Sequence, residues 1–72
     1  MKILLLGGGG FIGRHIADVV CQNNKVTIYD KEVPSQMMSD FSGEVIIDDI
    51  RSPAVDIEML VNRNDVIIDL IA

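Results

Sequence analysis

The chain has 72 residues, 49% hydrophobic and 24% charged, with a formal net charge of -5; this suits one small globular domain and leaves no room for two. Its six Lys and Arg are scattered rather than clustered, which argues against a nucleic-acid surface, and no apolar run reaches the length of a signal-peptide core or a membrane span. A single cysteine, Cys21, excludes a disulfide framework and a cysteine-based metal site within this chain, and the expectation is a soluble protein of the reducing cytoplasm.

In chain order, Ile3 to Leu6 is a continuous apolar run, the pattern of a parallel strand covered on both faces. Gly7 to Gly10 follow, where the backbone can turn tightly and approach a ligand, and Gly13 falls in the first turn of a helix where strand and helix can pack closely. The spacing fits both G-x-G-x-x-G (Gly8, Gly10, Gly13) and G-x-x-G-x-x-G (Gly7, Gly10, Gly13). Either pattern alone is weak, so the flanking strand and helix have to support it. The helix is predicted from about Phe11 to Asn23, with Ile12, Ile16, Val19 and Val20 as its sheet-facing stripe and Asn23-Asn24 as a left-handed stop. Its N-terminus would offer unpaired N–H groups and a partial positive charge to a pyrophosphate. Arg14 and the only histidine, His15, read as exposed first-turn side chains, with a phosphate contact the alternative for Arg14. Cys21 reads as a small packed residue rather than a reactive thiol.

A second strand, Lys25 to Asp30, ends in an acid twenty positions after Gly10, where a carboxylate can accept hydrogen bonds from adenosine ribose hydroxyls. The same carboxylate would repel a 2′-phosphate, so NAD is expected over NADP, with Lys31 a partial offset. Lys31 to Gly43 is the least periodic stretch; Gln36 to Phe41 could form a short helix in which Met37, Met38 and Phe41 cover apolar surface. Glu44 to Asp48 is a third strand. Ser52-Pro53 then resembles a helix start, predicting a helix to Asn62 with Val55, Met59 and Leu60 buried. Val66 to Ile71 is the fourth strand; Asp69 within it is expected to face water or an amide, and the alternative is a desolvated carboxyl of raised pKa. The order β-α-β-(short α)-β-α-β implies an α/β fold, a partial Rossmann-type parallel sheet of four strands in the order 3-2-1-4 with flanking helices.

The motifs also resemble a known family. Leu6-Gly7-Gly8-Gly9-Gly10-Phe11-Ile12-Gly13 resembles the nucleotide-binding signature of the extended short-chain dehydrogenase/reductases, the group of NAD-dependent nucleotide-sugar epimerases, dehydratases and decarboxylases. Asp30 matches their ribose-binding acid, Asp48-Asp49-Ile50-Arg51 resembles their Asp-Ile-Arg segment with its acid near the adenine, and Asp65 to Ala72 resembles their fourth strand. Two positions depart: Gly9 stands where Ala or Thr is common, which is expected to loosen the turn, and Asp69 stands where His is frequent. The resemblance implies an NAD site formed by Gly7, Gly10, Phe11, Ile12, Gly13, Asp30, Lys31, Asp49, Ile50, Leu70, Ile71 and Ala72, with no metal and with a nucleotide sugar as the substrate of a longer parent enzyme. It covers the whole chain as the amino-terminal portion of such an enzyme, residues 1–72, with truncation the expectation.

The family's catalytic Tyr-x-x-x-Lys is not in this stretch: Tyr29 is the only tyrosine, and the residue four further on is Val33. Asp48 and Asp49 are adjacent and offer no paired acid and base, since neighbours on a strand end point in opposite directions. The chain by itself is therefore expected to be inactive. A non-catalytic NAD(H)-binding or sensor module is the alternative, and a site for another adenine cofactor such as flavin a weaker one. A fourth strand left as an apolar edge, Val66-Ile67-Ile68 and Leu70-Ile71, further predicts homo-oligomerisation.

Overall fold

The computed structural model describes residues 1–35 and 41–71. Strands β1 (Lys2–Leu6), β2 (Lys25–Asp30), β3 (Glu44–Ile47) and β4 (Val66–Asp69) form one sheet, with helices α1 (Phe11–Val20) after β1 and α2 (Ile57–Asn62) before β4. The sheet order is β3-β2-β1-β4, and every pairing is parallel. This is the Rossmann-like order 3-2-1-4 expected from the alternation of strand and helix patterns.

Register follows from burial. Ile3 pairs with Val26 and Val66, and Leu5 with Ile28 and Ile68, so one face of the sheet carries an aliphatic layer. Ile3, Leu5, Ala17, Val26 and Ile28 form the core on that α1 side, with Ile16, Val20, Cys21, Val33 and Phe41 packed against it. The opposite face gathers Leu4, Leu6, Tyr29 and Leu60, flanked by Ile46, Val55, Ile57 and Val61. Burial of β1 on both faces explains its uninterrupted apolar run. β2 is buried at Val26, Ile28 and Tyr29, with Thr27 half-buried and its hydroxyl 3.3 Å from the Glu44 carboxylate.

The sheet-facing stripe of α1 differs from the periodicity reading. Gly13, Ile16, Ala17 and Val20 face the core, whereas Ile12 and Val19 are exposed. The cause is Gly13: a Cβ there would stand 2.6 Å from Gly8 Cα, so this position must be the one turned against the strand. Fixing Gly13 inward rotates Ile12 and Val19 outward. The helix also stops three residues early, at Val20, without a left-handed residue; Cys21 caps it in right-handed geometry, and Asn24 Nδ2 donates to the Val20 carbonyl at 3.0 Å.

The start of α2 is a second correction. Ser52 and Pro53 lie in a non-helical loop, and the helix begins only at Ile57 with Asp56 as N-cap. The Asp48 carboxylate takes the backbone N–H groups of Ala54 and Val55, at 3.1 and 3.4 Å, and so holds this segment out of helical geometry. Leu60 is buried and Val55 half-buried, but Met59 is exposed. β3 and β4 end earlier than predicted, at Ile47 and Asp69; the ladder is continued past them by single bonds, Asp48 N–H to Asp30 O and Leu70 N–H to Leu6 O. The helix expected over Gln36 to Phe41 lies outside the described residues except at Phe41, which is not helical but covers the α1-side core as expected.

Candidate functional site

At the carboxyl ends of the strands, β1 runs into the glycine turn. Gly7 has φ +85°, the left-handed region, and its N–H donates to Tyr29 O at 2.7 Å, so the turn begins only after a last bond to β2. A Cβ at Gly9 would stand 2.3 Å from Glu32 O and 2.8 Å from Asp30 Oδ2. The expectation that Gly9 loosens the turn is thus reversed: a side chain has no room there, and the Gly9 N–H donates to Asp30 Oδ2 at 3.0 Å. Asp30 Oδ1 takes the Lys31 N–H at 2.7 Å. One carboxylate therefore ties the glycine turn to the end of β2, and each oxygen keeps a lone pair for a further donor.

Gly10 is the N-cap of α1, extended at φ -81° and ψ 176°, with nothing within 4 Å of where a Cβ would point. No side chain caps the helix and its first turn holds no acid, so its first N–H groups are left without a side-chain acceptor. Phe11 and Ile12 on that turn are 81% and 67% exposed, and Phe11 meets His15 edge-to-face at 4.7 Å between centroids. His15 and Arg14 are exposed, as predicted.

Beside the turn lies a cleft of about 300 Å³ lined by Tyr29, Asp30, Lys31, Asp48, Asp49, Ile50, Arg51 and Ile71. A shallower hollow of about 420 Å³ joins Gly9 and Gly10 to Asp30 and Lys31 on the other side. Asp30 and Lys31 thus stand between glycine turn and cleft. Of the predicted residues, Asp30, Lys31, Asp49, Ile50 and Ile71 meet in the cleft, and Gly10 shares the hollow with the first two. Gly7 lies against Leu70 and Ile71, Gly13 is buried beneath the turn against Gly8, and Ala72 lies outside the described residues. A groove of about 530 Å³ opens at the other end of the sheet, between Lys2, Lys25, Glu44 and Arg63. It is far from the glycine turn, and ligands of open parallel sheets lie beyond the carboxyl ends of the strands, so the smaller cleft is the candidate site.

Sequence reasoning passed over three lining residues. Tyr29 is 1% exposed, and its hydroxyl donates to Asp48 Oδ2 at 2.8 Å. Burial, reinforced by that hydrogen bond and the negative charge of Asp48, pushes the phenol up to about 12. Asp48 is held below the usual carboxylate range, first by the Ala54 N–H and then by the Tyr29 hydroxyl. Arg51 grips Asp49 with Nε to Oδ1 at 3.1 Å and Nη2 to Oδ2 at 2.9 Å, and its own N–H reaches Oδ1 at 3.0 Å. These bonds lower the Asp49 carboxyl to about 2 and raise the guanidinium. The signal for Tyr29 was there to be read: an aromatic one residue before the strand-end acid has to point to the opposite face, toward the loop after β3. Asp69 accepts the Ile71 N–H at 3.0 Å, the amide partner expected at a strand end.

Glycine turn, uncapped helix and acid-edged cleft lie together at one end of a 3-2-1-4 parallel sheet, which makes the chain Rossmann-like. The chain is similar, at 32% identity over 75 residues, to the bifunctional polymyxin resistance protein ArnA of Wigglesworthia glossinidia brevipalpis; the match covers 99% of this chain and 12% of that protein. No protein-family model matches the chain. Among the described residues, no helix is long and apolar enough to cross a membrane.

Proposed function

We propose that the chain binds NAD and forms the cofactor-binding portion of an oxidoreductase of the extended short-chain dehydrogenase/reductase type, whose whole protein acts on a nucleotide sugar. The observation that carries this reading is the uncapped N-terminus of α1 set beside Asp30. An anion placed at Gly10 would meet free N–H groups and the positive end of the helix, and a ribose beside it would meet the carboxylate. Steric room supports the reading, because nothing lies within 4 Å of where a Gly10 side chain would begin. The adenosine half would lie in the cleft between Ile50 and Ile71, with Asp49 at its rim. Likeness to a much longer protein supports a place within a larger chain.

Asp30 sets the choice of cofactor: two ribose hydroxyls can donate to it, whereas a 2′-phosphate would be repelled. Arg51, the cation best shaped for a phosphate, is engaged by Asp49. Isothermal titration tests this reading. NAD should bind more tightly than NADP, and Asp30→Ala should narrow the gap; tighter NADP binding by the unaltered chain overturns the assignment.

A second reading, a non-catalytic NAD(H)-binding or sensor module, is favoured by the state of Tyr29. The only tyrosine is buried, donates to a carboxylate and has a raised pKa, the opposite of what a catalytic base requires. Incubation with NAD and a panel of UDP- and dTDP-sugars should give no reduced nicotinamide and no altered sugar. A Tyr-x-x-x-Lys downstream in the parent reading frame would favour the enzyme over the module. Self-association belongs to the same proposal: β4 is an edge strand with Ile67 exposed, as is Ile71 just beyond it, and light scattering at micromolar concentration should give a mass above the 7.9 kDa of one chain.

A further inference from the structure

We propose that Tyr29 and Asp48 act together as positioning residues for the adenosine half of the ligand, by latching the loop after β3 against the end of β2. This deepens the dinucleotide reading above and rests on it. The loop carries Asp49 and Ile50, two walls of the cleft, yet it has little else to hold it. Asp49, Ile50 and Arg51 follow the last residue of β3, and the Asp49–Arg51 pair is local to the loop and exposed. Bonds within the loop cannot fix it relative to the sheet.

The Asp48 carboxylate can. Its Oδ2 accepts the Tyr29 hydroxyl at 2.8 Å and the N–H groups of Ala54 and Val55 at 3.1 and 3.4 Å, and its Oδ1 takes the Ala54 N–H as well. One side chain thus clamps both ends of the Asp49–Pro53 segment, and the clamp is bolted to a phenol rooted in the core beside Leu4, Leu6 and Leu60. Among the described residues, no other side-chain hydrogen bond or ion pair joins this loop to the neighbouring strand. A buried tyrosine one residue from Asp30 therefore registers the adenine wall against the ribose acid. Distances across a site assembled from two loops depend on such a cross-link, and displacements of an ångström there are costly to binding.

The experiment uses Tyr29→Phe, which keeps the ring in the core, and Asp48→Asn, which keeps one acceptor in place. AMP and inorganic pyrophosphate are titrated into each variant and into the unaltered chain, with circular dichroism as the check on folding. The latch predicts that Tyr29→Phe weakens AMP about ten-fold while pyrophosphate, a probe of the glycine turn alone, binds unchanged. It also predicts faster amide exchange at Ala54 and Val55 in Tyr29→Phe, with Asp48→Asn intermediate in both measurements. Equal loss of AMP and pyrophosphate would mark a merely structural residue and overturn the proposal. Unaltered AMP affinity in Tyr29→Phe would overturn it while leaving the dinucleotide reading intact. Absence of AMP, NAD and pyrophosphate binding by the unaltered chain would sink both, whatever the exchange rates report about the latch.

Discussion

At the start of α1, Gly10 offers no side chain, no acid follows in the first turn, and no side chain accepts from the first N–H groups. At the start of α2, Asp56 accepts the Met59 N–H at 3.0 Å and Glu58 adds a second negative charge. Both helices have the same unsatisfied donors by construction. α2 satisfies one of them with its own Asp56 carboxylate and is stabilised by it; α1 has no side chain that does so. Both helices are anchored by buried side chains, Ala17 in α1 and Leu60 in α2, but only α1 adds a contact of backbone with backbone, Gly13 on Gly8. The terminus kept bare, in a chain that caps its other helix, is the one at which the proposed anion would bind.

The contrast can be broken most forcefully at Gly13. In Gly13→Val the new Cβ would stand 2.6 to 2.8 Å from Gly8 backbone atoms that cannot swing aside, so helix and strand must part. A loss of about 3 kcal/mol is expected, close to what a domain this small can spare, and denaturant melts monitored by circular dichroism will read it.

Filling the bare terminus should separate stability from binding. Gly10→Asp has open space and a suitable extended backbone, so its carboxylate should cap α1 and raise stability by about 0.5 kcal/mol. The same charge would occupy the anion position and weaken NAD by roughly 100-fold. Titration calorimetry and melting on one sample would show the two effects with opposite signs. Removing the cap of α2 is the mirror experiment: Asp56→Ala should cost about 1 kcal/mol and leave NAD affinity untouched.

The smallest expected effects are those of pH. Asp48 and Asp49 have lowered folded-state pKa values, so the stabilisation they give is fully present above the usual carboxylate range. It fades as pH falls, reaching about 2 for Asp49. Tyr29 behaves in the opposite sense: its stabilisation is intact below 10 and is lost as pH rises toward about 12. With one tyrosine and no tryptophan, the phenolate absorbance reports that titration without overlap. Melting temperatures against pH should decline at both extremes, and Tyr29→Phe should abolish the alkaline decline.

Sequence pattern alone determined the strands, their parallel order, the glycine turn and the acid at Asp30. Each of these is written in local periodicity or in residues whose backbone demands few others can meet: a continuous apolar run for a strand buried on both faces, glycine where φ is positive, a carboxylate closing a strand. Only the tertiary structure decided which face of α1 turns inward, because the contact of Gly13 with Gly8 outweighs the competing apolar stripe through Ile12 and Val19. The place where α2 begins was likewise decided at a distance. Ser52-Pro53 carries a valid local start signal, but the Asp48 carboxylate, itself held by Tyr29 of the neighbouring strand, takes the next N–H groups for a turn and leaves capping to Asp56. A hydrogen bond between residues nineteen apart leaves no periodic trace in the chain; it exists only once the sheet has brought its ends together.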